Sequence, residues 1–216
     1  MAEKIGVIGS GSVGQALSDG FLRHGYTVMR GTREPAKLND WRAAAGENAF
    51  VGTFSEAAGF ADIVVLAVKG AAAENALQLC IPANLAGKTV IDTTNPIADA
   101  PPEKGVIRYF TDINESLMER LQRAVPGAHF VKAFSCVGSA LMVDPVLEGQ
   151  TPTMFICGND ARAKAQTQKI LTQFGWASED MGGVEAARAI EPLAILWCIP
   201  GFLRNDWMHA FKLLKK

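Results

Sequence analysis

Short apolar runs alternate with amphipathic segments along most of the chain, which predicts strands and helices in turn. Residues 5–8 and 63–68 are continuously apolar, as expected of strands that are covered on both faces. Residues 13–24 carry apolar side chains at helical spacing and are followed by Gly25, a typical helix end. Such alternation favours parallel strands. We predict an α/β fold: a doubly wound, mostly parallel Rossmann sheet with a small C-terminal helical extension.

The same pattern continues through the rest of the chain. Further strands are predicted at 26–30, 50–51, 89–92, 129–134, 154–157 and from 176 onward. Further helices are predicted at 35–45, 55–60, 72–80, 116–125, 161–174 and 184–197. No internal repeat and no linker-like stretch divides the sequence.

A glycine-rich loop follows the first predicted strand and precedes an amphipathic helix. Its residues are Gly9, Ser10, Gly11, Ser12, Val13 and Gly14, a G-x-G-x-x-G pattern in the context that this motif requires. The first glycine permits a tight turn, the second lets a pyrophosphate approach the backbone, and the third allows close helix–strand packing. Because the helix N-terminus adds free N–H groups, the loop predicts a dinucleotide site.

The end of the second predicted strand indicates which dinucleotide is bound. A site that prefers NAD places an acidic residue here, whereas this chain has Thr32 and Arg33, with Lys37 about one helical turn further on. A hydroxyl and two cations suit a dianionic 2′-phosphate. Glu34 would favour NAD if it faced the ribose, but we expect its side chain to turn to solvent. The pattern therefore predicts NADP(H).

Three later strand ends carry further candidate cofactor contacts, because ligands of open sheets lie at the carboxyl ends of strands. The candidates are Ala67, Val68 and Lys69 on the adenine side, Thr94, Asn95 and Pro96 near the nicotinamide ribose, and Ala133, Phe134 and Ser135 beside the nicotinamide.

Charge and cysteine usage narrow the function classes. Lys and Arg number 21 against 22 Asp and Glu, a net charge of -1, so no overall field attracts nucleic acid or anionic membranes. The four cysteines, Cys80, Cys136, Cys157 and Cys198, are spaced for neither a metal site nor a disulfide framework, and we expect buried free thiols.

The sequence also bears on location. Met1 is followed within a few residues by the first predicted strand, without the apolar run of a signal peptide. The apolar stretch 192–203 is interrupted by Pro200 and Gly201 and is short for a membrane span. We therefore expect a cytoplasmic protein without membrane insertion.

No catalytic acid–base set is evident. His24 adjoins a helix-capping glycine and is interpreted as structural, while His129 and His209 are weak candidates for ligand contact. A dehydrogenase of alcohols needs a proton donor and acceptor. Hydride transfer between two organic redox rings needs chiefly alignment, so we predict no catalytic side chain and no metal.

These residues together resemble the NADP oxidoreductases that depend on the deazaflavin coenzyme F420, and the related cytosolic NADPH domains of six-transmembrane metalloreductases. The likeness covers nearly the whole chain and rests on the glycine loop, residues 31–33 with Lys37, residues 94–96, 131–134 and 193–201. One departure is Ser135 followed by Cys136, where that family often has Asn after Ala-Phe.

The resemblance implies that the glycine loop holds the pyrophosphate and that the hydroxyl–Arg–Lys set holds the 2′-phosphate. It further implies that the acceptor lies over the nicotinamide, in a cleft between the sheet and a small C-terminal part. We accordingly assign residues 1–180 to an NADP-binding Rossmann domain and residues 181–216 to a C-terminal helical extension that completes the acceptor cleft.

The leading functional interpretation is an enzyme that transfers a hydride between NADP(H) and a small-molecule redox acceptor, either F420 or a flavin such as FMN or FAD. One alternative is a reductase of a carbonyl, an imine or a flavin-bound ferric acceptor, although the region after residue 180 is short for the imine reductase type. Another is a non-catalytic NADPH-binding protein. The C-terminal helix, with Trp197, Phe202 and Trp207, could form a homodimer or pack within its own subunit, and the sequence leaves both open.

Overall fold

A six-stranded parallel sheet forms the centre of the molecule, in a computed structural model that describes residues 3–216. Its strands are β1 (Lys4–Ile8), β2 (Thr27–Gly31), β3 (Ala49–Gly52), β4 (Ile63–Leu66), β5 (Thr89–Asp92) and β6 (His129–Lys132). They lie in the order β3-β2-β1-β4-β5-β6, and each pair is parallel. The chain changes direction across the sheet between β1 and β4, which is where open sheets of this type bind ligands. The predicted Rossmann fold is confirmed.

Helices cover both faces of this sheet. They are α1 (Ser12–Arg23), α2 (Asn39–Ala44), α3 (Phe54–Phe60), α4 (Ala73–Leu79), α5 (Leu117–Ala124), α6 (Ala161–Gln173), α7 (Ala187–Ile190) and α8 (Leu193–Arg204). Successive strand residues point to opposite faces, so Val7 packs in one core with Phe21 of α1 while Ile8 packs in the other with Ala57 of α3. This double burial explains why the central strands are continuously apolar.

Two helices begin at capping boxes that fix their first turns. The Thr53 hydroxyl accepts a hydrogen bond from the Glu56 backbone N–H, and the Glu56 carboxylate accepts one from Thr53. Ser116 and Glu119 repeat the arrangement at α5. Each box satisfies backbone N–H groups that the helix itself cannot pair, which sets where the chain turns into the helix.

The last two strands differ from the prediction of a continued parallel sheet. β7 (Thr153–Ile156) and β8 (Ala177–Asp180) pair with each other in a separate sheet, and a single antiparallel bridge between Lys132 and Cys157 joins them to β6. A parallel strand needs a long crossover, usually helical. Between β6 and β7 the chain forms only one 3-10 turn, Ser139–Leu141, so β7 runs opposite to β6.

The C-terminal helical region runs further than predicted. α8 passes through Pro200 and ends at Asn205, which takes a left-handed conformation with φ 55°. The prediction that Pro200 and Gly201 interrupt this stretch is therefore wrong. Proline lacks the N–H that would bond the carbonyl of Leu196, yet the helix continues through it, at a position where Leu196 itself is exposed.

The run Val184–Arg204 is long and apolar enough for a membrane span by length and composition, with a mean hydropathy of 1.4 over its most apolar window. The expectation of a stretch too short to span concerned residues 192–203 alone, and the longer run meets the length measure only because it begins eight residues earlier. Only 33% of that window is buried in the fold. The core helix of a globular protein meets the same two measures, so the absence of membrane insertion stays a prediction.

Candidate functional site

A groove of about 330 Å³ lies at the carboxyl edge of the sheet, beside β1, β2 and β4. It brings together nine of the predicted cofactor residues: Gly9, Ser10, Gly11, Thr32, Arg33, Lys37, Ala67, Val68 and Lys69. Sequence reasoning missed the helical part of its lining, which consists of Phe54, Ala72, Asn75 and Ala76. Those residues lie at the starts of α3 and α4, and no motif marks them. The predicted residues Ser12, Val13 and Gly14 lie in the first turn of α1, below the groove.

The three glycines of the loop have different structural roles. Gly9 has φ 144°, and a Cβ there would lie 2.1 Å from the Ala67 carbonyl oxygen. A Cβ on Gly14 would lie 2.5 Å from the Gly9 carbonyl oxygen. Gly11 is exposed and extended, with φ −78°, and a Cβ there would meet nothing within 4 Å. The fold itself thus requires glycine at positions 9 and 14, because a side chain there would clash with the backbone. Gly11 has no such clash and leaves an open space at the groove.

The N-terminus of α1 faces this open space. Gly11 is its N-cap residue, and none of the described side chains caps the helix there. The first N–H groups of a helix have no partner within the helix and carry a partial positive charge. The residues present therefore fit the pyrophosphate of a dinucleotide, and the space above Gly11 is where a phosphate can approach the backbone.

The three residues predicted to bind the 2′-phosphate, Thr32, Arg33 and Lys37, all line this groove, and together they are called the 2′-phosphate set. Thr32 is buried, whereas Arg33 and Lys37 are exposed. Glu34 is exposed, as predicted, but it also lines the groove, and its carboxylate lies 2.9 Å from Lys37 Nζ. Both partners of this pair are more than half exposed, so water and salt weaken it and Lys37 can exchange Glu34 for a phosphate at small cost.

The candidates on the nicotinamide side lie at the same edge of the sheet but outside this groove. Their side chains are largely enclosed: Thr94, Pro96, Ala133, Phe134 and Ser135 are buried and Asn95 is half-buried. The two loops are tied together, because Asn95 Nδ2 donates to the Ser135 carbonyl at 2.6 Å. Phe134 has φ 62°, a conformation that a bulky side chain rarely adopts and that costs about 1–3 kcal/mol.

A buried ion cluster that sequence reasoning missed stands beneath these loops. Lys132 Nζ lies 2.6 Å from Asp92 Oδ2 and 2.9 Å from Glu191 Oε1, and all three side chains are almost fully buried. Lys132 also donates to the Thr94 carbonyl at 2.9 Å, which fixes the loop after β5. Burial alone would lower the pKa of Lys132, but the two carboxylates outweigh it and raise the pKa above its ordinary value.

Glu191 connects this cluster to the C-terminal helices. Its carboxylate accepts hydrogen bonds from the backbone N–H groups of Leu117 and Met118 at the start of α5. The Tyr109 hydroxyl donates to the Glu191 carbonyl at 2.7 Å, and burial raises the pKa of that hydroxyl. A charged residue ends each of the neighbouring strands β5 and β6, whose central residues are apolar, and this was the available signal for the cluster.

No histidine lines the groove among the described residues. His24 Nε2 lies 3.0 Å from Asp144, in agreement with the structural interpretation. His129 opens β6 at the amino edge of the sheet, the edge opposite to the groove. His209 packs on Trp197, whose indole N–H donates to the His209 carbonyl.

The cysteines are free thiols, as predicted, with Cys198 only half-buried. Burial raises the pKa values of Cys80, Cys136 and Cys157 to about 12, so these thiols stay protonated and inert at neutral pH. Among residues 3–216, no three His, Cys, Asp or Glu side chains lie together as metal ligands would.

Comparison with known proteins places this geometry in a family. Residues 4–96 match the family described as "NADP oxidoreductase coenzyme F420-dependent". Metalloreductase STEAP3 of Rattus norvegicus is 29% identical over 208 residues, which is 94% of this chain but 39% of the relative. Metalloreductase STEAP2 of Homo sapiens is 26% identical over 193 residues, or 88% of this chain and 36% of the relative. The chain thus spans less than two fifths of the length of these curated relatives.

Solved structures extend the likeness to the whole chain. A candidate F420-dependent NADP reductase from Arthrobacter sp. FB24 superposes with a TM-score of 0.91 and 30% identity, and the match covers 100% of both chains. A reductive aminase from Aspergillus terreus, solved with NADPH and ethyl levulinate, has a TM-score of 0.69 at 20% identity, over 95% of this chain and 64% of the aminase. The second likeness concerns the fold alone.

The full-length match and the family model agree with the groove in indicating an NADP-dependent oxidoreductase. The chain belongs to the family of coenzyme F420-dependent NADP oxidoreductases.

Proposed function

We propose that this protein transfers a hydride between NADP(H) and a deazaflavin of the F420 type, or a flavin such as FMN or FAD, in the cytoplasm. The observation that carries the proposal is the groove itself. It combines an open helix N-terminus at Gly11 with the hydroxyl and cations of Thr32, Arg33 and Lys37. The full-length similarity to the Arthrobacter protein supports an acceptor of the F420 type.

The protein's part in this reaction is to bind and to align. When bound, the nicotinamide supplies or receives the hydride. The helix N-terminus and the basic residues hold the phosphates at one end of the sheet, and this fixes the position of the other end of the dinucleotide. The loops after β5 and β6 are held rigid there by the Asn95–Ser135 hydrogen bond and by Lys132. Correct alignment alone accounts for a large share of the rate in a two-ring reaction.

The positions of the titratable groups agree with a protein that binds and aligns the dinucleotide without taking part in proton transfer. The charged lining residues of the groove are Arg33, Glu34, Lys37 and Lys69, all on the adenosine side. The ionisable residues near the other end include Asp92, Lys132 and Glu191, which are buried and paired with one another. They also include Tyr109, whose hydroxyl donates to the Glu191 carbonyl and whose pKa is raised by burial, so that it stays protonated. We therefore propose that no side chain exchanges a proton with the acceptor in the hydride step.

Single-turnover mixing of the NADPH-loaded protein with F420, FMN, FAD or a ferric chelate tests the proposal. Oxidation of NADPH is followed by its absorbance, with Gly11→Ala as the matched control for the dinucleotide site. We expect rapid oxidation with F420 or a flavin and a slower reaction in the variant at limiting NADPH. Wild-type protein that binds NADPH but transfers a hydride to none of these acceptors would contradict the proposal.

A second candidate acceptor is ferric iron reached through a flavin. The observation that favours it is the similarity to two relatives that are named metalloreductases. In that case the flavin takes the hydride and then passes single electrons to the iron. Reduction of a ferric chelate should then require added FMN or FAD. Reduction that proceeds equally well without a flavin would contradict this candidate.

A further inference from the structure

A buried arginine stands behind the glycine loop and has no role in the site described so far. Arg30 is the fourth residue of β2 and is only 1% exposed. Its sole hydrogen bond among the described residues is a long one, 3.5 Å from Nη2 to the Gly11 carbonyl oxygen. The Nε and Nη1 groups have no partner among residues 3–216. A guanidinium stays charged at neutral pH, and an unpaired buried charge is costly, so this residue requires an explanation.

The surroundings hold the guanidinium in place without neutralising it by direct contact. The Arg30 guanidinium carbon lies 4.7 Å from the centre of the Trp41 ring, a cation–π arrangement. The indole N–H of Trp41 donates to Asp19 Oδ1 at 2.7 Å. Burial lowers the pKa of Arg30 and the nearby Asp19 carboxylate acts in the opposite direction. Asp19 is therefore the nearest negative charge, but its hydrogen bond goes to the tryptophan.

The position of Arg30 relates it to the dinucleotide groove. A second groove of about 580 Å³, lined by Arg30 and Trp41, lies beside the first, and Ser10 and Lys37 line both. Arg30 also lies two residues before Thr32 on the same strand end. The buried cation therefore lies beside the strand end that carries Thr32, and its groove shares Lys37 with the 2′-phosphate set.

We propose that Arg30 is a specificity-determining residue, which favours NADP(H) over NAD(H) through its buried positive charge behind the 2′-phosphate set. The inference rests on the proposed function, since it assumes a dinucleotide in the groove. Arg30 differs from the other cations of the site in its surroundings. Arg33 and Lys37 are exposed, and Lys37 is paired with Glu34, so added salt screens them. A buried charge is screened much less, and its contribution should persist at high salt.

Arg30→Met is the direct test, because methionine keeps an unbranched side chain at the site and removes the charge. Dissociation constants of NADPH and NADH are measured by titration calorimetry at low salt and at about 0.5 M NaCl, where the Debye length is only a few ångströms. We expect Arg30→Met to weaken NADPH binding about tenfold or more at both salt concentrations and to leave NADH binding unchanged. The comparison variant Arg33→Gln should lose most of its effect at high salt.

Two results of this titration would overturn the inference. Equal weakening of NADPH and NADH would mean that Arg30 only positions the loop through the Gly11 carbonyl. Unchanged binding of both would mean that its charge does not reach the phosphate. A wild-type protein that bound neither dinucleotide would instead overturn the proposed function, so the failure of that function can be told apart from the failure of the Arg30 inference.

Asp19→Asn keeps the test decisive if Arg30→Met fails to fold. Asparagine can still accept the Trp41 hydrogen bond, but it removes the negative charge that opposes Arg30. We expect NADPH to bind severalfold more tightly to this variant and NADH to bind as before. NADPH affinity that stayed the same or fell would overturn the inference.

Discussion

Replacement of Gly11 by alanine should separate the folding of the glycine loop from its binding of phosphate. The backbone at Gly11 is extended, at φ −78° and ψ −176°, and a Cβ would meet nothing within 4 Å. Alanine therefore fits the folded chain without strain. Because it also restricts the unfolded chain, the free energy of unfolding should stay the same or rise by up to about 1 kcal/mol.

Binding should respond in the opposite direction. The added methyl group occupies the space above the N-terminus of α1, where we place the pyrophosphate. Loss of one or two hydrogen bonds to a charged phosphate costs about 1.5–3 kcal/mol each. NADPH affinity should therefore fall by at least about tenfold, and NADH affinity should fall equally because both dinucleotides share the pyrophosphate.

Titration calorimetry with NADPH and thermal unfolding of the same samples are the assays. Gly127→Ala is a matched control, since its Cβ would make only an ordinary contact, 3.8 Å from Ala86, at the opposite edge of the sheet. Gly9→Ala and Gly14→Ala should instead lower stability, because their Cβ atoms would lie 2.1 and 2.5 Å from carbonyl oxygens. A folded Gly11→Ala protein with an unchanged NADPH dissociation constant would refute the reasoning.

Three other variants or conditions test the account. Wild-type protein should bind NADPH more tightly than NADH by about 2–4 kcal/mol, and Arg33→Gln should reduce this difference; equal dissociation constants in wild type would contradict the 2′-phosphate assignment. Lys132→Met leaves two carboxylates buried without their cation and should lower the free energy of unfolding in urea by about 3–5 kcal/mol, so an unchanged midpoint would argue against the cluster. The Arg188 guanidinium holds the pKa of Glu119 down to about 2, against an ordinary value of 4.5. The contribution of this ion pair to the free energy of unfolding should therefore be fully present above about pH 5 and be lost as the pH falls toward 2. Glu119→Gln should make the free energy of unfolding depend less steeply on pH in this range. An equally steep dependence in the variant would show that other groups cause it.

The sheet could be predicted from the sequence because its strands are buried on both faces. The predicted strand at 63–68 contains β4, since a continuous apolar run marks such a strand directly, and the predicted strand at 89–92 matches β5, whose central residues are apolar. The residues predicted for the adenosine half of the site come together in one groove, although their role in binding stays a prediction. There the residues follow one another along the chain, and the glycine pattern predicts both their conformation and their role.

The remaining features depend on contacts between distant residues. Lys132 and Asp92 are neighbours only through the pairing of β5 with β6, and Glu191 reaches them from the turn between α7 and α8, 59 positions after Lys132 in the sequence. The charges at the ends of β5 and β6 are visible in the sequence, but no local pattern reveals that they meet Glu191 in the interior. Arg30 resembles an ordinary strand-end cation until the burial between α1 and α2 is known. Pro200 misled the helix prediction because the local rule treats proline as a helix end, whereas this helix continues through it for four more residues.

The central claim is direct hydride transfer from a bound nicotinamide to an organic acceptor aligned with it. The most direct measurement uses NADPH carrying deuterium on one or the other face of nicotinamide C4, with F420 as acceptor and mass spectrometry of the product. Carbon 5 of a deazaflavin does not exchange its hydrogen with water, so a transferred deuterium is retained. We predict that deuterium from one face only appears in reduced F420, with slower single-turnover oxidation of that isotopomer. Reduced F420 without deuterium from either face would contradict direct transfer.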